Sequence, residues 1–195
     1  MSQVSAKPST AEELDELTLK RAQRGDPDAC RALVVRYERP VFALISRMLG
    51  ATRRDVVEDI AQETFLAVFR SLESFSTLGK ARLSTWVLTI ASRRAVDELR
   101  KHRPPTRPLE LDGANIASES RADEAAHRRD IARAIEAALA DLPPAYRAAF
   151  LLREFHGLDY SEIARALDID KGTVKSRLAR ARTALRTALA EVHDE

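Results

Sequence analysis

Residues 159–186 read DYSEIARALDIDKGTVKSRLARARTALR, and their spacing decides the fold of this part of the chain. Asp159-Tyr160-Ser161-Glu162 is a D-x-x-E form of the capping box, with Asp159 at the N-cap and Glu162 at N3. Ile163, Ala164 and Leu167 then form a short apolar stripe. Asp168-Ile169-Asp170 is a turn, and Asp170 is placed to cap a second helix. In that helix Val174, Leu178, Ala181 and Leu185 fall at i, i+4, i+7 and i+11, which is one buried face. At about 100° per residue, Gly172, Ser176, Ala179, Arg180 and Thr183 point the other way. Between Lys171 and Arg186 there are six Lys or Arg (171, 175, 177, 180, 182, 186) and no acid. A short helix, a tight turn and a basic second helix with small polar side chains near its start describe a helix-turn-helix. Lys and Arg attract phosphates, while Thr, Ser and Arg near the helix start reach base edges in the major groove. The plainer alternative is an amphipathic helix with a solvated basic face. Cap, turn, stripe and charge together favour the DNA-binding motif.

The composition agrees with an all-α chain. Hydrophobic residues make up 45% and charged residues 32% of 195, and only six Gly and eight Pro interrupt them. A net charge of +2 does not announce a nucleic-acid partner, so the distribution of charge has to. Cys30 is alone, which rules out an intrachain disulfide and gives no sign of an oxidising compartment. Four scattered histidines and one cysteine make no zinc-ligand cluster, and no cofactor motif is present. No apolar run approaches about 18 residues, and the polar N-terminus has no secretory h-region. A cytoplasmic protein with no membrane insertion of its own is expected.

Two small helical domains joined by a flexible linker are expected. Residues 1–9 read as a disordered N-terminus, 10–103 as the first domain, 104–127 as the linker and 128–195 as the second domain. Thr10 to Glu13 looks like a capping box opening a helix that ends near Gln23, before Gly25. Asp26-Pro27 restarts the chain as N-cap plus N1 proline. The next helix carries Leu33, Val34, Tyr37, Val41, Leu44, Ile45 and Met48, and Pro40 predicts a kink or break near Arg39. Residues 52–55 cap a third helix reaching about Leu72, with a stripe of Val57, Ile60, Ala61, Thr64 and Val68 and with Phe65, Phe69 and Leu72 on its flank. Asp59, Gln62 and Glu63 share its polar face. The stretch 55–75 holds five acids and one base, a balance of −4, and 82–103 holds six bases and two acids, a balance of +4. Two adjacent helices of opposite sign point to two different partners. Residues 74–82 read as a loop, and a fourth helix runs from about Leu83 to His102 with Trp86 as a core anchor. After the proline-rich linker, helical pattern resumes with Ile131 and Ile135, breaks at Leu142-Pro143-Pro144, and ends at Gly157 in a C′ position. His156 beside it reads as a helix-dipole partner.

These motifs, taken in order, resemble the extracytoplasmic-function sigma factors of bacteria, the smallest members of the sigma-70 family. The stretches that carry the likeness are EDIAQETFLAVFRSL (58–72), LSTWVLTIASRRAVDELRKHR (83–103) and LPPAYRAAFLLREFHGLDYSEIARALDIDKGTVKSRLARAR (142–182), at the family's spacing. The resemblance implies a subunit that binds core RNA polymerase and directs promoter-specific initiation. It places Asp59, Gln62, Glu63 and Phe65 on the clamp of the large polymerase subunit. It places Lys80, Arg82, Arg93, Arg94, Arg100 and Lys101 on the unpaired −10 strand, where the 76–82 loop would shape a pocket for an extruded base. It places Lys171, Thr173, Lys175, Ser176 and Arg180 at the −35 major groove. Of these, Ser176 and Arg180 lie on the outward face and suit base readout, and Ala179 offers shape or a thymine-methyl contact. The family's small members lack the N-terminal region that blocks DNA binding in larger ones, and this chain has no room for it. Many are held inactive by an anti-sigma factor instead, which could keep a cytoplasmic protein at the inner membrane. The loop STLGKAR (76–82) does not identify the flipped base, and no Cys-rich tail of a metal sensor is present.

A stand-alone, dimeric helix-turn-helix regulator is the alternative. It needs no acidic helix beside a basic one, and it calls for a self-complementary apolar patch that the stripes do not supply. No Gly-rich phosphate loop, metal cluster or nucleophile–base pair points to an enzyme.

Overall fold

Capping chemistry sets where the helices begin. The computed structural model describes residues 13–50, 54–76, 82–101 and 124–191. Asp15 opens α1 (Glu16–Gln23), its side chain accepting the Thr18 N–H at 2.9 Å. Asp26 opens α2 (Pro27–Leu49) by accepting the Ala29 N–H at 2.8 Å, with Pro27 in the first turn. The helices α3 (Arg54–Leu72) and α4 (Leu83–Lys101) follow. The second half holds α5 (Glu124–Asp141), α6 (Pro144–Glu154), α7 (Tyr160–Leu167) and α8 (Lys171–Glu191), so the described residues are all-helical.

Three expectations change. The first helix does not start from a box at Thr10–Glu13: residues 13–15 are non-helical and Asp15 is the cap. The Glu13 carboxylate instead accepts from the Ser84 N–H at 3.2 Å, from the Ser84 hydroxyl and from the Tyr37 hydroxyl at 3.4 Å. A negative group thereby sits at the N-terminus of α4, where the helix dipole favours it. The second change concerns Pro40: of the kink or break expected there, the break is not made, and α2 runs through it. Tyr37, Val41, Leu44 and Ile45 are buried on both sides of it, and that packing outweighs the lost backbone hydrogen bond. Thirdly, α5 begins at Glu124, inside the stretch read as linker. The 1–9 segment, most of the linker and the 77–81 part of the loop lie outside the described residues.

The first core gathers Leu33, Tyr37, Val41, Leu44 and Ile45 of α2 against Ile60, Ala61 and Val68 of α3 and Val87, Ala91 and Ala95 of α4. Burying each large aliphatic side chain contributes about 2 kcal/mol, mostly offset by chain entropy. Gln23 ties α1 to the end of α3 by donating to the Leu72 and Phe75 carbonyls at 3.0 and 2.8 Å. Trp86 is half-buried, its ring 4.9 Å from that of Phe75. The second core gathers Leu151 and Leu152 of α6, Ile163 and Ala166 of α7, and Val174, Leu178 and Ala181 of α8. The two cores do not stand apart. Helix α4 packs against α6 and α7, and α2 against α5 and α6. Among the described residues, no helix is long and apolar enough to cross a membrane.

Candidate nucleic-acid interface

The helix-turn-helix is built on two aspartate caps. Asp159 Oδ1 accepts the N–H groups of Ser161 and Glu162 at 2.7 and 2.8 Å, and Glu162 Oε2 accepts the Asp159 N–H at 2.8 Å. Both legs of the capping box are therefore made, and the backbone N–H of Glu162 holds the Asp159 carboxyl below its ordinary range. Helix α7 ends at Asp168, a non-glycine residue in the left-handed region (φ 53°). Asp170 accepts the Thr173 N–H at 2.7 Å and the Thr173 hydroxyl at 2.5 Å, and these bonds lower its pKa. A Cβ on Gly172 would stand 2.9 Å from Asp170 Oδ1, so glycine there leaves room for the cap.

Val174, Leu178, Ala181 and Leu185 of α8 are buried, as their spacing requires. The opposite face is open. Lys171, Lys175, Ser176, Ala179, Arg180 and Thr183 are exposed, and Thr173 is half-buried. Besides Thr173, whose hydroxyl is held by Asp170, two of these are already engaged. The Ser176 hydroxyl donates to the Thr173 carbonyl at 2.9 Å, and Arg180 donates to the Tyr146 hydroxyl of α6 at 2.8 Å. Arg182 pairs with Glu154 at 2.7 Å, which raises its pKa.

The residues expected on the −10 strand divide into three groups. Arg100 and Lys101 pair along α4 with Asp97 and Glu98 at 3.6 and 3.3 Å. Arg94 pairs with Glu63 of α3 at 2.7 Å, so a residue expected on DNA is bridged to one expected on polymerase. Arg82 and Arg93 face the other half of the molecule: Arg82 lies 3.5 Å from the Glu162 carboxylate, and Arg93 donates to the Ala166 and Arg165 carbonyls at 2.8 and 3.0 Å. Lys80 lies outside the described residues. Beside Arg93 is an open cavity of about 410 Å³, lined by Val96, Arg100, Leu167, Ile169 and Arg177 among others.

On α3, Asp59, Gln62 and Glu63 are exposed together. Phe65 does not join them. It is 9% exposed and part of the core, because α3 is covered on two sides by α2 and α4. The apolar side chain on that outer face is Leu66, 55% exposed, with Val35 (63%) and Phe42 exposed on α2. The signal was present in the sequence, since Leu66 stands about 180° round the helix from Val57 at ~100° per residue, amid Asp59, Gln62 and Glu63. His156 also departs from expectation. It is buried, and burial together with the nearby Arg47 charge pushes its pKa down to about 4, so it is neutral and not a charged partner of the α6 dipole.

Comparison with known proteins agrees with this geometry. The family description "Sigma-70 region 2" matches residues 33–104, and "Sigma-70, region 4" matches residues 132–185. The RNA polymerase sigma-H factor of Pseudomonas aeruginosa is 33% identical over 187 residues, 91% of this chain and 95% of the relative. The ECF RNA polymerase sigma-E factor of Escherichia coli K12 is 35% identical over 184 residues, 88% and 92% of the two chains. Two solved structures share the fold. CnrH in complex with the cytosolic domain of CnrY has a TM-score of 0.64 at 24% identity, covering 90% of this chain and 96% of that one. The sigma factor RpoE with the anti-sigma factor NepR from Bartonella quintana has a TM-score of 0.59 at 22% identity, covering 82% and 96%. Two sigma-70 regions in order, with relatives above 30% identity along nearly the whole chain, carry the conclusion: the chain belongs to the sigma-70 family, as an extracytoplasmic-function RNA polymerase sigma factor.

Proposed function

We propose that this chain binds core RNA polymerase and directs promoter-specific initiation by reading −35 duplex DNA and the unpaired −10 strand. One observation carries the reading: a capped helix with an exposed basic face and an exposed acidic face occupy one chain. The basic face of α8 suits the major groove, with Ser176 and Arg180 at base edges and Lys171, Thr173 and Lys175 at phosphates and the groove wall. Arg180 has only to leave the Tyr146 hydroxyl, an exposed bond of low cost. Lys80, Arg82, Arg93, Arg94, Arg100 and Lys101 hold the −10 strand. Asp59, Gln62 and Glu63, with Leu66 at their centre, meet the clamp of the large polymerase subunit. An anti-sigma factor is the expected regulator. CnrH and RpoE, which share the fold, are each solved with a second protein, and NepR is an anti-sigma factor. Such a partner would retain this cytoplasmic protein at the inner membrane if it were itself anchored there.

The test mixes purified chain with core polymerase and a promoter library. Promoter-specific transcripts requiring both components are expected. Arg180→Ala should lower −35-dependent transcription about tenfold while leaving core affinity unchanged. Binding of a palindromic operator by the chain alone, with no affinity for core, would move the assignment to a dimeric regulator.

A further inference from the structure

Helix α1 and the segment before it hold both ends of the stretch that leads from α3 into α4. At the α4 end the holder is Glu13. The first N–H groups of a helix have no partner within it, and Arg82, which precedes α4, carries a guanidinium that can only donate. No acid stands in the first turn of α4 either. Glu13 fills that place from 71 positions away: its carboxylate accepts the Ser84 N–H at 3.2 Å and the Ser84 hydroxyl. Tyr37 of α2 steadies it, its hydroxyl donating to Glu13 at 3.4 Å and accepting the Leu14 N–H at 3.1 Å. Tyr37 and Ser84 are both buried, so Glu13 is anchored on fixed partners. At the α3 end the holder is Gln23, whose amide donates to the Leu72 and Phe75 carbonyls at 3.0 and 2.8 Å. The Phe75 ring in turn lies 4.9 Å from that of Trp86, in the same first turn of α4 as Ser84. Between the two holders, buried Leu19 and Ala22 fix α1 to the core.

We propose that Glu13 and Gln23 are positioning residues for capture of the unpaired −10 strand: a brace running along α1 sets Phe75 and the first turn of α4 at a fixed separation. The inference rests on the proposed function, in which Arg82 and the arginines of α4 hold that strand. Only residues 76–81 separate Phe75 from Arg82. The freedom of so short a piece of chain is governed by where its ends are held, so fixing both ends removes conformations before DNA arrives. Ordering that is already done in the free protein is not charged against binding. The gain falls to the strand whose shape fits the arrangement, which is selectivity and not general affinity. Neither residue has to touch DNA. A carboxylate repels phosphate, which sets the role of Glu13 apart from that of a DNA contact. Nor do the two residues hold the first core together, since that core is made by the apolar side chains of α2, α3 and α4.

The experiment uses holoenzyme assembled from core polymerase and the full chain, as wild type, Glu13→Ala, Gln23→Ala and Glu13→Gln. Each alanine removes one end of the brace. Glutamine at 13 keeps a carbonyl oxygen for the Ser84 N–H. The probes are two fluorescein-labelled promoter forks, duplex at the −35 element and single-stranded across the −10 element. One carries the −10 sequence of a promoter that the wild-type holoenzyme transcribes, and the other carries it scrambled. Each alanine variant should lower the ratio of the two affinities about tenfold with core affinity unchanged, and Glu13→Gln should restore most of it. Trp86, the single tryptophan of the chain, gives a spectroscopic check: its emission should shift to the red in Glu13→Ala as the first turn of α4 loosens. An unchanged ratio in either alanine variant would overturn the brace. So would a ratio that falls only in step with core affinity, one that Glu13→Gln does not restore, or one that falls in Glu13→Ala with Trp86 emission unmoved. The wild-type holoenzyme separates the two readings. If it distinguishes the forks and the variants match it, the brace fails and −10 reading stands. If it does not distinguish them, −10 reading fails and the brace goes with it.

Discussion

Asp170 fixes the start of the recognition helix through the Thr173 N–H and hydroxyl. Asp170→Ala should cost about 1 kcal/mol in urea unfolding, and Asp170→Asn should restore most of it, since asparagine caps nearly as well. His156 governs a different variable. Its pKa is pushed down to about 4 by burial and by Arg47, against 6.5 for a free imidazole. Between those values the unfolded chain takes up a proton that the folded chain refuses, so stability is full above about pH 7 and falls as the pH drops. The loss should reach about 2 kcal/mol by pH 5, and His156→Phe should flatten that part of the pH profile. The depressed carboxyls of Asp159 and Asp170 act lower, losing their contribution only as the pH falls below 3.8. The sequence announced Asp170, because a cap is a local pattern of residue type and spacing. It misled on His156, because neutrality there comes from burial against a residue of α2, which no local pattern encodes.

Among the elements, α8 was the most legible and α3 the most deceptive. One apolar face and one basic face describe α8 fully, since it buries a single stripe. Helix α3 is covered by both α2 and α4, so its buried arc is wider than the stripe of Val57, Ile60, Ala61, Thr64 and Val68, and it takes in Phe65. The two apolar neighbours on α3 should therefore behave oppositely. Phe65→Ala should lower stability by about 3 kcal/mol through the cavity it leaves, and lose polymerase binding only as far as it unfolds. Leu66→Ala removes an exposed side chain, so its melting temperature should be nearly unchanged while its affinity for core polymerase falls several-fold. Thermal melts alongside core-binding titrations decide the matter, and equal stability losses would remove Leu66 from the docking face. The start of α1 eluded the sequence for a related reason: Glu13 serves Ser84, a partner 71 positions away, better than it serves its own helix.

At the scale of the whole molecule, the linker's composition announced two helical units but not their mutual packing. Arg93 reaches Ala166 across 73 positions and Arg147 reaches Met48 across 99, and no periodicity marks such pairs. That packing bears on how the chain finds a promoter. Two weak DNA sites on one chain give a combined affinity far above either, but only when both can engage together. With α4 packed against α7, the proposed −10 and −35 faces lie on helices in mutual contact, with Arg82 and Arg93 directed to α7. On the proposed reading the free chain then offers the basic face of α8, and a lone set of phosphate contacts binds duplex DNA weakly and with steep salt dependence. Docking to polymerase through α3, as proposed, would supply the spacing that the free chain lacks. A labelled promoter duplex chosen from the transcription library should thus bind the free chain at least about a hundredfold more weakly than it binds the holoenzyme at equal salt. Scrambling the −10 element should leave the free chain's affinity unchanged and weaken the holoenzyme's. Nanomolar, sequence-specific binding by the free chain would mean that both faces are already open and correctly spaced, and polymerase would then contribute catalysis without contributing geometry.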